Sequence, residues 1–260
     1  MPAGIVLAGG RSRRMGTPKA WLDWHGEPLL RRMVGLVARG TGGPVVVVRA
    51  QGQELPALPP DVRVVEDVRA GRGPLQGLLA GLEAADGEVA FAASTDAPFL
   101  HPRFVAAVCG AIASADAAVP FVGGSRRPLA AAYRTALVPL VAQLVEAGRL
   151  ETGFLLDRCN ACWLEELPHP ESVRNLAAPE DYRAALAEPE PRVRVRSFGP
   201  PRGAAIEARA ATLGAAASAV GVDLAAHVVA ALNGDRIARD PLEPLAEGDE
   251  VAFMAADAGG

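Results

Sequence analysis

LAGGRSRRMGTPK, residues 7–19, decides the fold of the chain around it. A short apolar run leads into two adjacent glycines, and three arginines and a lysine then crowd into residues 11–19. Glycines at 9 and 10 let the backbone turn sharply and come close to a ligand with no Cβ in the way. Successive amides in such a turn make a concavity for anions. The loop is expected to follow a buried strand and precede a helix, the place where α/β proteins hold phosphate. It lacks the Gly-Lys-Ser/Thr of a Walker loop and is not G-x-G-x-x-G. Arg14 and Lys19 would supply mobile positive charge to a triphosphate. The alternative is a solvated basic loop.

Outward from this stretch, short apolar runs at 4–8, 44–48, 62–65 and 89–93 read as buried strands. Helical spacing over 28–38, 75–85 and 102–114 separates them. Such alternation predicts an α/β, Rossmann-like domain with a mostly parallel sheet, whose functional loops leave the carboxyl ends of the strands. STDAP, residues 94–98, occupies a second such end. Asp96 there is a sufficient carboxylate for Mg²⁺, which keeps most of its waters and takes phosphate oxygens. A third candidate loop precedes GPLQG, residues 73–77. Pro74 suits a first helical position, Gly73 sits just before it, and Asp67 upstream could accept hydrogen bonds from a sugar or base.

The pattern changes after EPEPR, residues 188–192, which cannot continue a helix. VRVRS (193–197) and part of IEARA (206–210) alternate with period two. An Ala-rich helical stretch over 213–220 follows, then Asn233-Gly234 between apolar runs as a hairpin signal, then a last strand at 250–254. We expect residues 1–187 as one domain, 188–192 as linker, and 193–260 as a small α+β domain.

The totals agree with this reading. The chain has 260 residues, half of them hydrophobic, and a formal net charge of −4, which argues against a wholesale nucleic-acid binder. Three cysteines suit a reducing compartment, and Cys159-Asn-Ala-Cys162 reads as structural rather than as a zinc or redox pair. The four histidines show no metal spacing. MPAGIVLAGG reaches glycine and arginine too early for a signal peptide, and no long apolar run suggests a membrane span, so a soluble cytoplasmic protein is expected. Gly123-Gly124 with Arg126-Arg127 reads as a surface hairpin that could flank an acceptor site, and Tyr133 as a core aromatic.

Together, LAGG-x3-RMG-x2-K, D-x5-GPLQG and TDAPF resemble the molybdenum cofactor guanylyltransferases (MobA type), within the wider nucleotidyltransferases. RRPLAAAY (126–133) and NLAAPEDY (175–182) are similar to further family segments. The resemblance implies transfer of GMP from GTP to molybdopterin with release of pyrophosphate. It also implies that Leu7, Ala8, Gly9 and Gly10 line the nucleotide site with Gly73. Lys19 would neutralise phosphate, Arg14 would stabilise the leaving pyrophosphate, Asp67 would contact the nucleoside, and Asp96 would bind Mg²⁺ and GTP. LAGG and GPLQG look guanylyl-like, whereas related cytidylyl enzymes tend to carry LAAG. VRAQGQ (48–53) lacks an asparagine that some relatives use, and Ala177-Ala178 replaces an Asn-Thr, leaving Asn175 as a candidate pterin contact.

Residues 231–260 carry a resemblance, extending over about 192–260 with a shorter helical region than usual, to the small subunit of molybdopterin synthase (MoaD type) and the thiamine-pathway carrier (ThiS type), ubiquitin-like β-grasp sulfur carriers; Ile237-Ala238-Arg239 leans to the latter. That likeness implies an adenylating, E1-like partner that activates the Gly260 carboxylate, a thiocarboxylate at Gly259-Gly260, and the synthase large subunit as second partner. No nucleic-acid or membrane partner is expected. The alternatives are a nucleotidyltransferase for another base or acceptor, such as CTP, and a carrier whose first domain only binds nucleotide.

Overall fold

The computed structural model describes residues 1–9, 16–67, 73–198, 205–224 and 228–255, and of Phe198 and Ala255 the backbone alone. The chain divides into two compact units: Met1–Leu22 with Pro28–Pro179, and Asp23–Glu27 with Glu180–Gly260.

In chain order the elements of residues 1–164 are β1 (Ala3–Leu7), β2 (Asp23–Trp24), β3 (Glu27–Pro28), α1 (Leu29–Thr41), β4 (Val45–Ala50), β5 (Arg63–Asp67), α2 (Pro74–Ala84), β6 (Val89–Ser94), α3 (Pro102–Gly110), β7 (Ala117–Val122), β8 (Ser125–Arg126), β9 (Ala130–Arg134), α4 (Val138–Glu146), α5 (Thr152–Leu156) and β10 (Ala161–Leu164). β2 and β3 pair only with each other. The main sheet runs β10-β7-β9-β6-β1-β4-β5, with β8 on β7. Strands β6, β1, β4 and β5 are mutually parallel, as is the β10–β7 pair, while β9 runs antiparallel to both neighbours.

Strand β1 (AGIVL) is buried along its whole length, as a central parallel strand covered on both faces must be. Ile5, Leu7, Val46, Val48, Ala90 and Ala92 join α2, α4 and α5 in one apolar cluster. Val6, Val47 and Phe91 alternate with them and are equally buried, on the face that α1 and α3 cover. Tyr133 lies fully buried in the first cluster, its hydroxyl donating to Pro128 O at 2.8 Å. Helix α3 stops at Gly110, short of the expected residue 114, because the chain turns there and Ala113 takes φ +38°. Gly123 and Gly124, at φ +60° and +73°, make the tight β7–β8 hairpin.

The second unit carries α6 (Pro179–Leu186), β11 (Arg192–Phe198), β12 (Ile206–Arg209), α7 (Leu213–Ala219), β13 (Val228–Leu232), β14 (Arg236–Ala238) and β15 (Glu250–Ala255). Its five-stranded sheet runs β12-β11-β15-β13-β14. The first and last strands, β11 and β15, lie side by side and parallel; the other pairs are antiparallel. Thr212 caps α7 by accepting from Ala215 N, and Leu213, Ala216 and Ala217 pack on Val195, Leu232 and Phe253. Asn233 at φ +55° and Gly234 at +83° form the expected hairpin turn. Asn233 is held further by its side-chain amide, which donates to Asp249 Oδ1 at 2.9 Å. No helix among the described residues is long and apolar enough to cross a membrane.

Candidate functional site

The parallel strands bring several predicted residues to one edge of the first unit. Leu7 and Ala8 close β1, and the amides of Ala8 and Gly9 both donate to Val48 O, at 2.8 and 3.2 Å. A Cβ on Gly9 would stand 3.3 Å from Ala50 N, so the close approach of β4 favours glycine there. Asp67 ends β5 in register with Ala50 and is 8 % exposed. Asp96 follows β6. Gly10 and Arg14 lie outside the described residues, as do Gly259 and Gly260.

Lys19 and Asp96, far apart in sequence, meet directly. Lys19 Nζ lies 2.6 Å from Asp96 Oδ2, and Ser94 Oγ donates to Asp96 Oδ1 at 2.5 Å. Both charged side chains are partly shielded, at 23 % and 18 % exposure, so the attraction is screened less than between fully exposed groups. One expectation fails in its details. Among the described residues no α-helix directly follows the glycine loop; Lys19 sits on a single 3₁₀ turn, Lys19–Trp21, and β2 and β3 intervene before α1. Pro18 enters that turn extended, and the turn closes by Leu22 N donating to Lys19 O.

Sequence reasoning missed the polar groups that fix this edge. Thr95, buried, donates from Oγ1 to Leu7 O at 2.9 Å, tying the end of β6 to the end of β1. Gln53 accepts from Ala50 N and donates to Ala8 O, at 2.9 and 3.0 Å, which ties the β4 turn to the glycine loop. Buried Arg32 of α1 donates from Nε to Pro98 O, and Leu176 N donates to Asp96 O at 2.8 Å. His101, whose amide donates to Ser172 Oγ, stacks flat on His169 at 3.5 Å. The Asp96 loop is thus held from three sides. Short polar side chains before and after an aspartate are a faint signal; such ties are legible only once the strands are ordered.

Gly73 begins α2 at φ +132°, where a Cβ would meet Leu150 O at 2.7 Å, so backbone packing alone demands glycine. Pro74 takes the first turn, as expected. Gly77, one turn further, lies over Leu7, so this helix end reaches the β1 edge. Gln76 beside it buries Oε1 with no hydrogen-bond partner among the described residues.

The cysteines are free thiols, and burial pushes Cys109 up to about 12. Burial, with Asp116 nearby, raises Cys159 to about 11. Both stay protonated at neutral pH, as inert structural thiols do. No cluster of three or more His, Cys, Asp or Glu capable of holding a metal exists among the described residues. Asp96 with Ser94 is still a hard-oxygen donor set that suits Mg²⁺, because that ion needs few protein ligands beside phosphate and water.

This edge can be set beside known proteins. A probable molybdenum cofactor guanylyltransferase of Mycobacterium bovis is 39 % identical over 165 residues, covering 61 % of this chain and 81 % of its own. One of Bacillus cytotoxicus is 33 % identical over 161 residues, with the same two shares. The crystal structure of a molybdopterin-guanine dinucleotide biosynthesis protein A from Archaeoglobus fulgidus superposes with TM-score 0.56 at 21 % identity, over 70 % of this chain and 96 % of that one. Residues 4–161, which contain the Lys19–Asp96 pair and the main sheet apart from Ala3 of β1 and all but the first residue of β10, match the family described as MobA-like NTP transferase domain. The chain belongs to that family and is a nucleotidyltransferase.

Proposed function

We propose that the first unit transfers GMP from GTP to molybdopterin and releases pyrophosphate. The observation that carries this reading is the Lys19–Asp96 ion pair at 2.6 Å, just past the side-by-side ends of β1 and β6, in a chain whose relatives bear the guanylyltransferase name. The acceptor's phosphate oxygen attacks the α-phosphorus of GTP in line, the α–β phosphoanhydride bond breaks, and pyrophosphate leaves. Such a transfer needs positioning and charge neutralisation more than covalent help. Leu7, Ala8, Gly9 and Gly10 line the nucleotide, Gly73 with them at the α2 end, and Asp67 accepts from the nucleoside. Lys19 leaves Asp96 to bind phosphate, and Arg14 stabilises the departing pyrophosphate. Asp96, oriented by the Ser94 hydroxyl, would hold Mg²⁺, which supplies neutralisation of the phosphate oxygens. Asn175 contacts the pterin.

The test is pyrophosphate release from GTP and from CTP, each with and without molybdopterin. Release only with GTP and molybdopterin together is expected. Equal or better turnover of CTP would replace the base assignment, and nucleotide binding with no release would reduce the unit to a nucleotide-binding module.

We further propose the functional division 1–187, linker 188–192 and 193–260, with the last segment a β-grasp sulfur carrier. The support is its sheet order, in which parallel first and last strands sit together at the centre with one helix across them. A partner E1-like enzyme adenylates the Gly260 carboxylate with ATP and releases pyrophosphate, a sulfide-level donor attacks the acyl carbon and displaces AMP to leave a thiocarboxylate, and the synthase large subunit receives that sulfur. Intact-mass measurement after incubation with such an enzyme, ATP and sulfide should show the oxygen-to-sulfur increase, absent when Gly259 and Gly260 are deleted. GMP transfer should survive the deletion. An unchanged mass in the full chain would remove the carrier assignment.

A further inference from the structure

A cavity of about 180 Å³ opens in the first unit among Arg126, Arg127, Leu129, Val173 and Asn175. It is smaller than the ~300–1,000 Å³ typical of whole small-molecule sites, so it suits one charged group or one ring. Its wall is rigidly made. Arg127 N donates to Pro120 O, Ala130 N to Arg127 O, and the buried Tyr133 hydroxyl to Pro128 O. Arg126 is stacked 4.5 Å over Trp163 and lies 3.3 Å from Asp157. Arg127 reaches Val122 O only at 3.5 Å through Nη2, and its Nε is buried with no hydrogen-bond partner among the described residues. A buried guanidinium N–H without an acceptor costs free energy that an incoming oxyanion would recover.

The cavity is also coupled to the Asp96 edge. Ser94 N donates to Leu129 O at 3.3 Å, and Leu176, next to Asn175, donates to Asp96 O. Two walls of the cavity are therefore backbone neighbours of the residues that carry the phosphate chemistry.

We propose that this cavity seats the phosphate monoester of the acceptor, with Arg127 as the specificity-determining fork and Arg126 as a second positive charge. This rests on the transfer reading above and names the acceptor end of the same site. The same oxyanion chemistry could come from the phosphates of GTP, and kinetics separate the two sources. In Arg127→Gln, KM for molybdopterin should rise at least tenfold with KM for GTP unchanged, and Arg127→Lys should recover part of the loss because it keeps the charge but not the fork. An unchanged acceptor KM, or a GTP KM that rises alongside it, overturns the assignment. A second arm does not depend on transfer. Glycerol 3-phosphate alone should change the tryptophan fluorescence saturably through Trp163, the change being lost in Trp163→Phe and needing at least tenfold more ligand in Arg127→Gln. Should the wild type transfer nothing to molybdopterin yet bind glycerol 3-phosphate in this Arg127-dependent way, the transfer reading falls and the phosphate seat stands. No binding, or equal binding by Arg127→Gln, overturns the seat itself.

Discussion

Asp96→Asn should lower metal-dependent pyrophosphate release by about 10³-fold while moving the thermal midpoint of the first unit by no more than about 4 °C. The two effects part because the residue does two different jobs. In the folded protein its carboxylate pairs with Lys19 at 2.6 Å, but both side chains are partly exposed, and a pair of that kind contributes about 0–1 kcal/mol. Asparagine keeps the shape and an oxygen to accept from the Ser94 hydroxyl, and the backbone tie from Leu176 N to Asp96 O is untouched. What it loses is the negative charge that, in the role proposed for Asp96, would hold a hard cation against the phosphates, an electrostatic contribution realised most strongly as charge shifts to the leaving pyrophosphate. Initial rates at saturating GTP, together with a melting curve, check both halves. A variant retaining a tenth or more of the wild-type rate would remove Asp96 from the metal role.

The elements at the carboxyl edge were legible because their strands are buried on both faces and read as unbroken apolar runs. Val45 to Val48 are four consecutive valines, and β1 and β6 are nearly as plain. Alternation placed both loops at carboxyl ends of parallel strands, but that β1 and β6 are neighbours is a property of the sheet order, which crossover handedness alone does not fix. Residues 117–164 were opaque for a physical reason. Strand β9 is AAAYR, with no β-branched residue, and Pro120 interrupts β7 (AAVPFV), so neither reads as a strand by polar alternation; burial of small side chains under α3 and α4 makes them strands. Lys19 could be singled out by its charge, but not its seat. The 3₁₀ turn that aims it at Asp96 forms where Pro18 enters extended, a tertiary consequence that no 3.6-residue period announces. The hairpin at Asn233-Gly234 needed nothing beyond two residues, since both must adopt positive φ and both do.

Lys19→Met should act in opposite directions on two measurements. Turnover should fall, with kcat/KM for GTP down about 10²–10³-fold, because a mobile ammonium no longer offsets the triphosphate charge. Affinity for a divalent ion in the absence of nucleotide should rise by about fivefold. The ammonium at 2.6 Å occupies the oxygen that the cation needs, and removing a competitor worth ~1 kcal/mol releases that much binding free energy. Mn²⁺ titration followed by electron paramagnetic resonance reads the second quantity without any catalysis. Lys19→Arg preserves charge at the phosphates and competition at Asp96, so it should lie near the wild type in Mn²⁺ affinity while its bulkier, planar head lowers turnover. The double variant with Asp96→Asn should be little slower than Asp96→Asn alone, since the two residues act on one cluster of charge and their losses do not add. Weaker Mn²⁺ binding by Lys19→Met would mean that the lysine orients the carboxylate for metal rather than standing in its place, and the exchange of partners proposed for Asp96 would then be wrong.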